Sequence, residues 1–205
     1  MIPLGQARSL RNRIMLETKK NITIGVGEWG FRALPMREHF QIAKKFGFQW
    51  LEFGIGGDQV GRLSEAPDQD EIDEFKAMGT DFGIKTPFCC IENDFTLADA
   101  DEHAAMVDKV KSQIQAAAAC GATHVRLFAG FTPAGNVTGE IWGRMIDAFA
   151  QCDALCEELG LLIGIETHGG IEFNDDGSAT HINSCLLYTS PSPRDLSTSR
   201  MPSSA

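Results

Sequence analysis

The sequence lacks a long apolar run, an excess of basic residues and closely paired cysteines. No hydrophobic stretch approaches the roughly 18 residues that suggest a bilayer span, so we expect no membrane partner. Lys and Arg number 18 against 28 Asp and Glu, which gives a formal net charge of -10. This balance disfavours binding to nucleic acid or to an acidic membrane surface. The expected partner is therefore a small molecule.

Cysteine is present, but in neither a disulfide framework nor a zinc-site spacing. The six cysteines include no C-x-x-C pair. This usage fits a reducing compartment, and we expect a cytoplasmic protein. Cys152 and Cys156 lie four residues apart on a predicted helix, where we expect them to face the core as small apolar side chains.

The last part of the chain differs in composition from the rest. Residues 185–205 are rich in Ser and Pro and contain the only tyrosine, Tyr188. Back-translated, residues 185–195 resemble the mosaic-end adapter of a transposase-based sequencing library, and residues 199–205 resemble the end of the same adapter. We therefore expect an adapter-derived, disordered tail and a natural protein interrupted near Ser184, and we exclude the tail from fold reasoning.

The first 20 residues form an N-terminal extension ahead of the first predicted strand. They hold five basic residues and one acidic residue, Glu17. Two interpretations stay open: a targeting sequence, and a mis-assigned upstream start with Met15 as the true first residue of a compact domain.

Between these ends, predicted strands alternate with predicted helices. Apolar periodicity, Pro at a helix start and glycines at helix ends define the elements. Strands are predicted over residues 21–29, 48–55, 83–91, 123–131 and 161–167, and helices over residues 35–46, 66–78, 98–120 and 139–159. Pro87 predicts an irregularity in the third strand. Such alternation requires parallel strands joined by right-handed crossovers.

The turn after the first strand separates an open sheet from a barrel. Gly25, Gly27 and Gly30 form G-x-G-x-x-G, but no helix begins at once, and Glu52 lies within the second strand and not after it. A (β/α)8 TIM barrel is therefore favoured. Because such a barrel takes about 250 residues, residues 21–184 are expected to be an incomplete one, with five strands and four helices.

The fifth strand carries the main candidate site residues. Its sequence, LLIGIETHGG, places Glu166 and His168 on the same face as Leu162 and Gly164, at the C-terminal end where α/β proteins bind ligands. Glu166 is either a functional carboxylate or a polar residue at a strand end. His168 either binds a substrate hydroxyl or is a loop histidine satisfied by backbone groups.

Three further candidates lie on other strands. Alternation places Arg126 on the inner face, opposite apolar neighbours. It is expected either to bind a carboxylate or phosphate of the substrate or to pair with Glu52 inside the barrel. Trp29, near the mouth on strand one, either stacks on a sugar face or packs in the core.

Three segments carry a family resemblance: AKKFGFQWLEFGIGG, AAAACGATHVRLFAG and CEELGLLIGIETHGG. They resemble the xylose-isomerase-like TIM barrels, the sugar phosphate isomerase/epimerase family. The resemblance implies that Glu166 binds a divalent metal and doubles as an acid/base group. It also implies that the other ligands, an Asp, a His and a second Glu, come from strands six to eight, which are absent from this sequence. Mn2+ or Mg2+ is the expected ion, with Co2+ or Zn2+ as alternatives.

The activity implied for the full-length parent is isomerisation or epimerisation of a small sugar or hydroxy-keto acid through an enediolate. A metal-dependent dehydratase on the same barrel is the alternative enzyme, because it begins with the same proton abstraction. The acidic charge and the single histidine on strand five disfavour a DNA-repair endonuclease. The chain as written is alternatively an inactive fragment with unpaired edges on strands one and five. A homo-oligomer of the parent stays open.

Overall fold

The computed structural model describes residues 23–166, 170–173 and 179–182. Its main feature is one sheet of five parallel strands in the order β1-β2-β3-β4-β5, with helices in the connections. This is the alternation predicted for part of a TIM barrel. The elements are β1 Gly25–Val26, α1 Met36–Lys45, β2 Trp50–Ile55, α2 Gln69–Phe82, β3 Lys85–Ile91, α3 Ala100–Ala119, β4 His124–Phe128, α4 Gly139–Leu159 and β5 Leu162–Glu166.

Side-chain caps determine where the helices begin. Asp68 accepts a hydrogen bond from the backbone N–H of Glu71, so α2 starts at Gln69, three residues later than predicted. It also ends later than predicted, at Phe82, and is followed by Gly83, whose φ of 65° is left-handed. Asp99 caps α3 and Thr138 caps α4 in the same way.

Of the first strand predicted over residues 21–29, the described residues form a strand only at Gly25–Val26, and residues 21 and 22 lie outside the described part. Strand β1 has two residues, and Glu28–Phe31 form a 3-10 helix. The chain turns there because the Glu28 carboxylate is fully buried against the Arg62 guanidinium, with 2.5 Å between Oε1 and Nη2. Trp29 therefore lies on the 3-10 helix and not on strand one.

The irregularity predicted at Pro87 is present. Trp50 pairs with Lys85 and Glu52 pairs with Phe88, so the third strand has one extra residue between these pairs. A bulge of this kind accommodates a proline, which has no N–H to donate to the ladder.

The two faces of the sheet differ in polarity as alternation predicts. Leu51, Phe53, Val125 and Leu127 are fully buried among the helices. The intervening residues of β2 and β4 carry the charged groups of the inner face. Cys152 and Cys156 are buried in the same apolar core, as predicted.

A second, two-stranded sheet follows β5. Strand β6, Gly170–Phe173, pairs antiparallel with β7, Ala179–Ile182. The sequence analysis did not predict this hairpin. No helix in the described part of the chain is long and apolar enough to cross a membrane.

One buried amide fixes the loop after β3 to the end of β4. The Nδ2 of Asn93 donates to the Phe128 carbonyl at 2.7 Å, and the Phe128 N–H donates to Asn93 Oδ1 at 2.8 Å. This reciprocal pair holds the C-terminal ends of two strands together, which is where the candidate site lies.

We predict that Asn93→Ala lowers the free energy of unfolding of the chain by about 1–3 kcal/mol, because two buried backbone groups lose a partner. Urea unfolding followed by far-UV circular dichroism measures the change. Gln69→Ala is the matched control, since that amide bonds Asp73 on the exposed surface of α2. A loss no larger than the control's would contradict the role given to Asn93.

His39 is a buried titratable group between the 3-10 helix and α1. Its Nε2 donates to the Phe31 carbonyl at 3.0 Å, while Nδ1 has no partner within the described residues. Burial lowers the pKa of His39, and the Phe31 hydrogen bond opposes that shift. The native state therefore favours the neutral ring.

The pKa of His39 is lower in the folded chain than its ordinary value of 6.5 in the unfolded chain. As the pH is lowered through 6.5, His39 therefore becomes protonated in the unfolded chain before it does in the native one, which favours unfolding. We predict that the free energy of unfolding decreases as the pH is lowered from 7.5 to 5.5. His39→Gln, which keeps a donor but does not titrate, is expected to show a shallower fall. Equal slopes for the two proteins in urea unfolding would contradict this assignment.

Candidate functional site

A cavity of about 400 Å³ opens on the inner side of the sheet, against residues of β2, β4 and β5 and the residue that follows β3. It combines carboxylates, one guanidinium and aromatic rings, as small-molecule sites do. The lining residues are Trp29, Glu52, Glu92, Arg126, Phe128, Phe131 and Glu166.

Arg126 joins two of the carboxylates. Its Nε lies 3.7 Å from Oε1 of Glu52, and its Nη1 pairs with Oε2 of Glu166. The ion pair with Glu52, one of two predicted alternatives, is present, and Glu166 is a second partner. The guanidinium carbon also lies 4.7 Å from the centre of the Phe128 ring, within cation-π range.

Strand register explains why these groups meet. Arg126 pairs with Cys90 on one side and with Gly164 on the other. These small neighbours leave room for its long side chain on the inner face. Two residues further along the same strands, Phe128 pairs with Glu166. This register places the Glu166 carboxylate within reach of the Arg126 guanidinium.

Burial alters the charge chemistry of the central pair. It raises the pKa of Glu52, and the charge of Arg126 opposes the shift. Burial lowers the pKa of Arg126, and the charge of Glu52 opposes that shift. The Glu52 carboxylate and the Arg126 guanidinium therefore each stabilise the charged form of the other against burial.

Aromatic rings form another wall. Trp29 is 54% exposed, and the Arg32 guanidinium lies 4.2 Å from the centre of its ring. Phe131 is also partly exposed at the cavity. Exposed rings beside polar groups can bind the C–H face of a sugar while the polar groups bind its hydroxyls. Trp29 therefore lines the cavity and does not pack in the core.

Sequence reasoning missed a second arginine cluster. Arg62, from the loop after β2, bonds Glu28 and also bonds Glu92, with 2.8 Å between Nη1 and Oε1 of Glu92. Burial acts to lower the pKa of Arg62, but the hydrogen bonds and charges of Glu28 and Glu92 together outweigh it and raise that pKa. Glu92 follows an apolar strand as Glu166 ends one, so the same pattern could have identified it.

The metal implied by the family resemblance can be tested against the donor groups. Glu166 ends β5, its side chain is 34% exposed to the cavity, and a carboxylate oxygen suits a divalent ion. Among the described residues, no three His, Cys, Asp or Glu side chains converge on one point. Glu166 therefore fits as one ligand, and the described residues do not complete a set.

The remaining candidate, His168, lies outside the described residues. The structure thus brings together four of the five residues identified from sequence: Trp29, Glu52, Arg126 and Glu166.

Solved structures with this fold include several sugar epimerases. The apo 3-keto-D-glucoside 4-epimerase of E. coli matches with a TM-score of 0.55 and 14% identity, over 71% of this chain and 56% of that one. D-psicose 3-epimerase, solved in the presence of D-fructose, gives a TM-score of 0.60 and 14% identity, over 85% and 60%. IolI protein with a bound zinc atom gives a TM-score of 0.57 and 14% identity, over 70% of this chain and 51% of that one.

At these identities the likeness shows a shared fold. The chain spans between half and three-fifths of the length of these three structures. No curated protein matches the sequence. A family model described as the xylose isomerase-like TIM barrel matches residues 40–183, most of the chain. The chain therefore belongs to the xylose isomerase-like TIM barrel family.

Proposed function

We propose that the complete protein containing this chain is a divalent-metal-dependent isomerase or epimerase of a small sugar. The observation that carries the proposal is the row formed by Glu52, Arg126 and Glu166 on the inner faces of three parallel strands, facing a cavity with an aromatic wall. The sugar epimerases among the solved structures with this fold support the same reaction class.

The chemistry requires a base beside the substrate carbonyl. Glu166 is proposed to take a proton from the carbon next to that carbonyl, which leaves an enediolate. In an isomerisation, Glu166 returns the proton to the neighbouring carbon. In an epimerisation, a second acid on the opposite side of the substrate delivers a proton to the opposite face of the same carbon, and Glu166 keeps the proton that it removed. Arg126 fixes one oxygen of Glu166 and so orients the carboxylate. When bound, a divalent ion would stabilise the negative charge of the enediolate. Glu52 holds Arg126 from the opposite side.

We predict that Glu166→Gln in the complete protein lowers kcat/KM for the sugar by about 10²–10⁴-fold, because the amide cannot accept the proton. Steady-state kinetics measure the loss, and far-UV circular dichroism shows whether the variant is folded. Glu158→Gln, on the exposed surface of α4, is the matched control and should keep wild-type activity. An active Glu166→Gln variant would refute the role of Glu166.

We also predict that EDTA abolishes activity and that added Mn2+ restores it. Isothermal titration calorimetry of the metal-free protein provides a second readout that does not depend on turnover. Glu166→Gln should weaken Mn2+ binding at least about tenfold, as expected when a ligand or its support is lost. Unchanged activity in EDTA, with no measurable Mn2+ binding, would contradict the metal dependence. Analysis of the product separates an isomerase or epimerase from a dehydratase, which would release water.

A further inference from the structure

Glu92 is a cavity residue that the proposed reaction does not use. It directly follows β3, at the same end of the sheet as Glu166, and its side chain is 30% exposed. It lines the cavity together with Trp29 and Phe128. Its carboxylate is therefore within the same space as a bound substrate.

Arg62 holds Glu92 in a fixed orientation. The Arg62 side chain is 1% exposed, and it bonds Oε1 of Glu92 at 2.8 Å. Its Nε and Nη2 both bond the fully buried Glu28. The guanidinium is a rigid plane, and bonds on two of its edges fix its orientation in the protein.

Two glycines make this arrangement possible. Arg62 lies across Gly54, where a Cβ would overlap its side chain. Gly57 has a φ of 82°, and a Cβ there would lie 3.3 Å from both Arg62 Nη1 and Glu92 Cγ. The loop after β2 therefore packs tightly on Arg62 and Glu92, and the Glu92 carboxylate is pre-oriented before any ligand binds.

The charges around this point favour an uncharged ligand. Four carboxylates, those of Glu28, Glu52, Glu92 and Glu166, outnumber the guanidiniums of Arg62, Arg126 and Arg32. Arg62 and Arg126 are already paired with carboxylates, and Arg32 lies on the Trp29 ring and donates to the Trp29 carbonyl. An anionic substituent near Glu92 would be repelled, whereas a hydroxyl group can donate a hydrogen bond to the carboxylate.

We propose that Glu92 accepts a hydrogen bond from a substrate hydroxyl and selects an uncharged polyhydroxylated sugar over its phosphorylated counterpart. This inference rests on the proposed function, since it concerns the substrate of the same cavity. Arg62 is a positioning residue, because it acts on the substrate through Glu92.

Calorimetric binding to the complete protein tests the proposal. The probes are D-fructose and D-xylulose, each compared with its monophosphate, D-fructose 6-phosphate or D-xylulose 5-phosphate. The wild-type protein should bind at least one neutral ketose more tightly than its monophosphate. Glu92→Gln should weaken neutral ketose binding about tenfold, the effect of one hydrogen bond to a charged group, and should narrow the preference over the monophosphate.

Glu140→Gln is the matched control. Glu140 is an exposed carboxylate that bonds Arg144 through one oxygen at 2.7 Å, as Glu92 bonds Arg62, but it lies on α4 outside the lining of the cavity. The Glu140→Gln variant should bind both ketoses and both monophosphates with wild-type affinity. Glu92→Asp keeps the charge and moves the oxygens, so it should retain discrimination against the monophosphates while losing affinity for the ketoses. This variant also covers the case in which Glu92→Gln does not fold.

Tighter wild-type binding of the monophosphates, or no binding of either neutral ketose, would overturn the proposal. So would a Glu92→Gln variant with wild-type affinities. These failures are distinct from failure of the proposed function, because loss of Mn2+ binding in Glu166→Gln is measured without sugar and does not involve Glu92.

Discussion

Two guanidinium groups on the inner face of the sheet position the charged side chains of this site. Arg62 binds Glu28 and Glu92, and Arg126 binds Glu52 and Glu166. Arg62 and Glu28 are buried, and a buried charge without a partner is strongly destabilising, so each of these two groups constrains the other. Small residues on the strands leave the space that the two long side chains fill. The cavity is the volume between these clusters and the aromatic rings.

Much of the fold follows from local sequence patterns. Alternation along β2 and β4 separates apolar side chains, which pack on the helices, from charged ones on the inner face. Caps such as Asp68 and glycines such as Gly83 determine helix ends within a few residues of the prediction. Pro87 marks the bulge because proline cannot join a ladder. These features depend on groups close together in the chain.

Where the predicted fold is wrong, the cause is a contact between residues far apart in the sequence. Residues 21–29 have the alternating β-branched pattern of a strand, yet Glu28–Phe31 form a 3-10 helix in which Glu28 bonds Arg62, 34 residues away. A local pattern carries no information about that contact. Glu166 was identified because it ends an apolar strand, and Glu92 follows one in the same way. The support that Arg62 provides could not be predicted, because Arg62 lies in a loop without a periodic pattern.

The two arginine clusters are proposed to serve different parts of one reaction. The Arg126 cluster contains the proposed base, and the Arg62 cluster contains the proposed group that recognises the substrate. Both are held by strands and by the loops at their ends, so the site is largely formed before a ligand binds. The carboxylates that line the cavity can bind hydroxyl groups, and its aromatic wall can pack against C–H faces.

The proposed mechanism depends on Glu166 binding a divalent ion in the complete protein. A crystal structure of that protein grown with Mn2+, with data collected at a wavelength giving manganese anomalous signal, shows whether it does. We expect an anomalous peak within bonding distance of a Glu166 carboxylate oxygen. A peak bound only by other residues, with Glu166 still paired to Arg126 alone, would refute metal binding by Glu166.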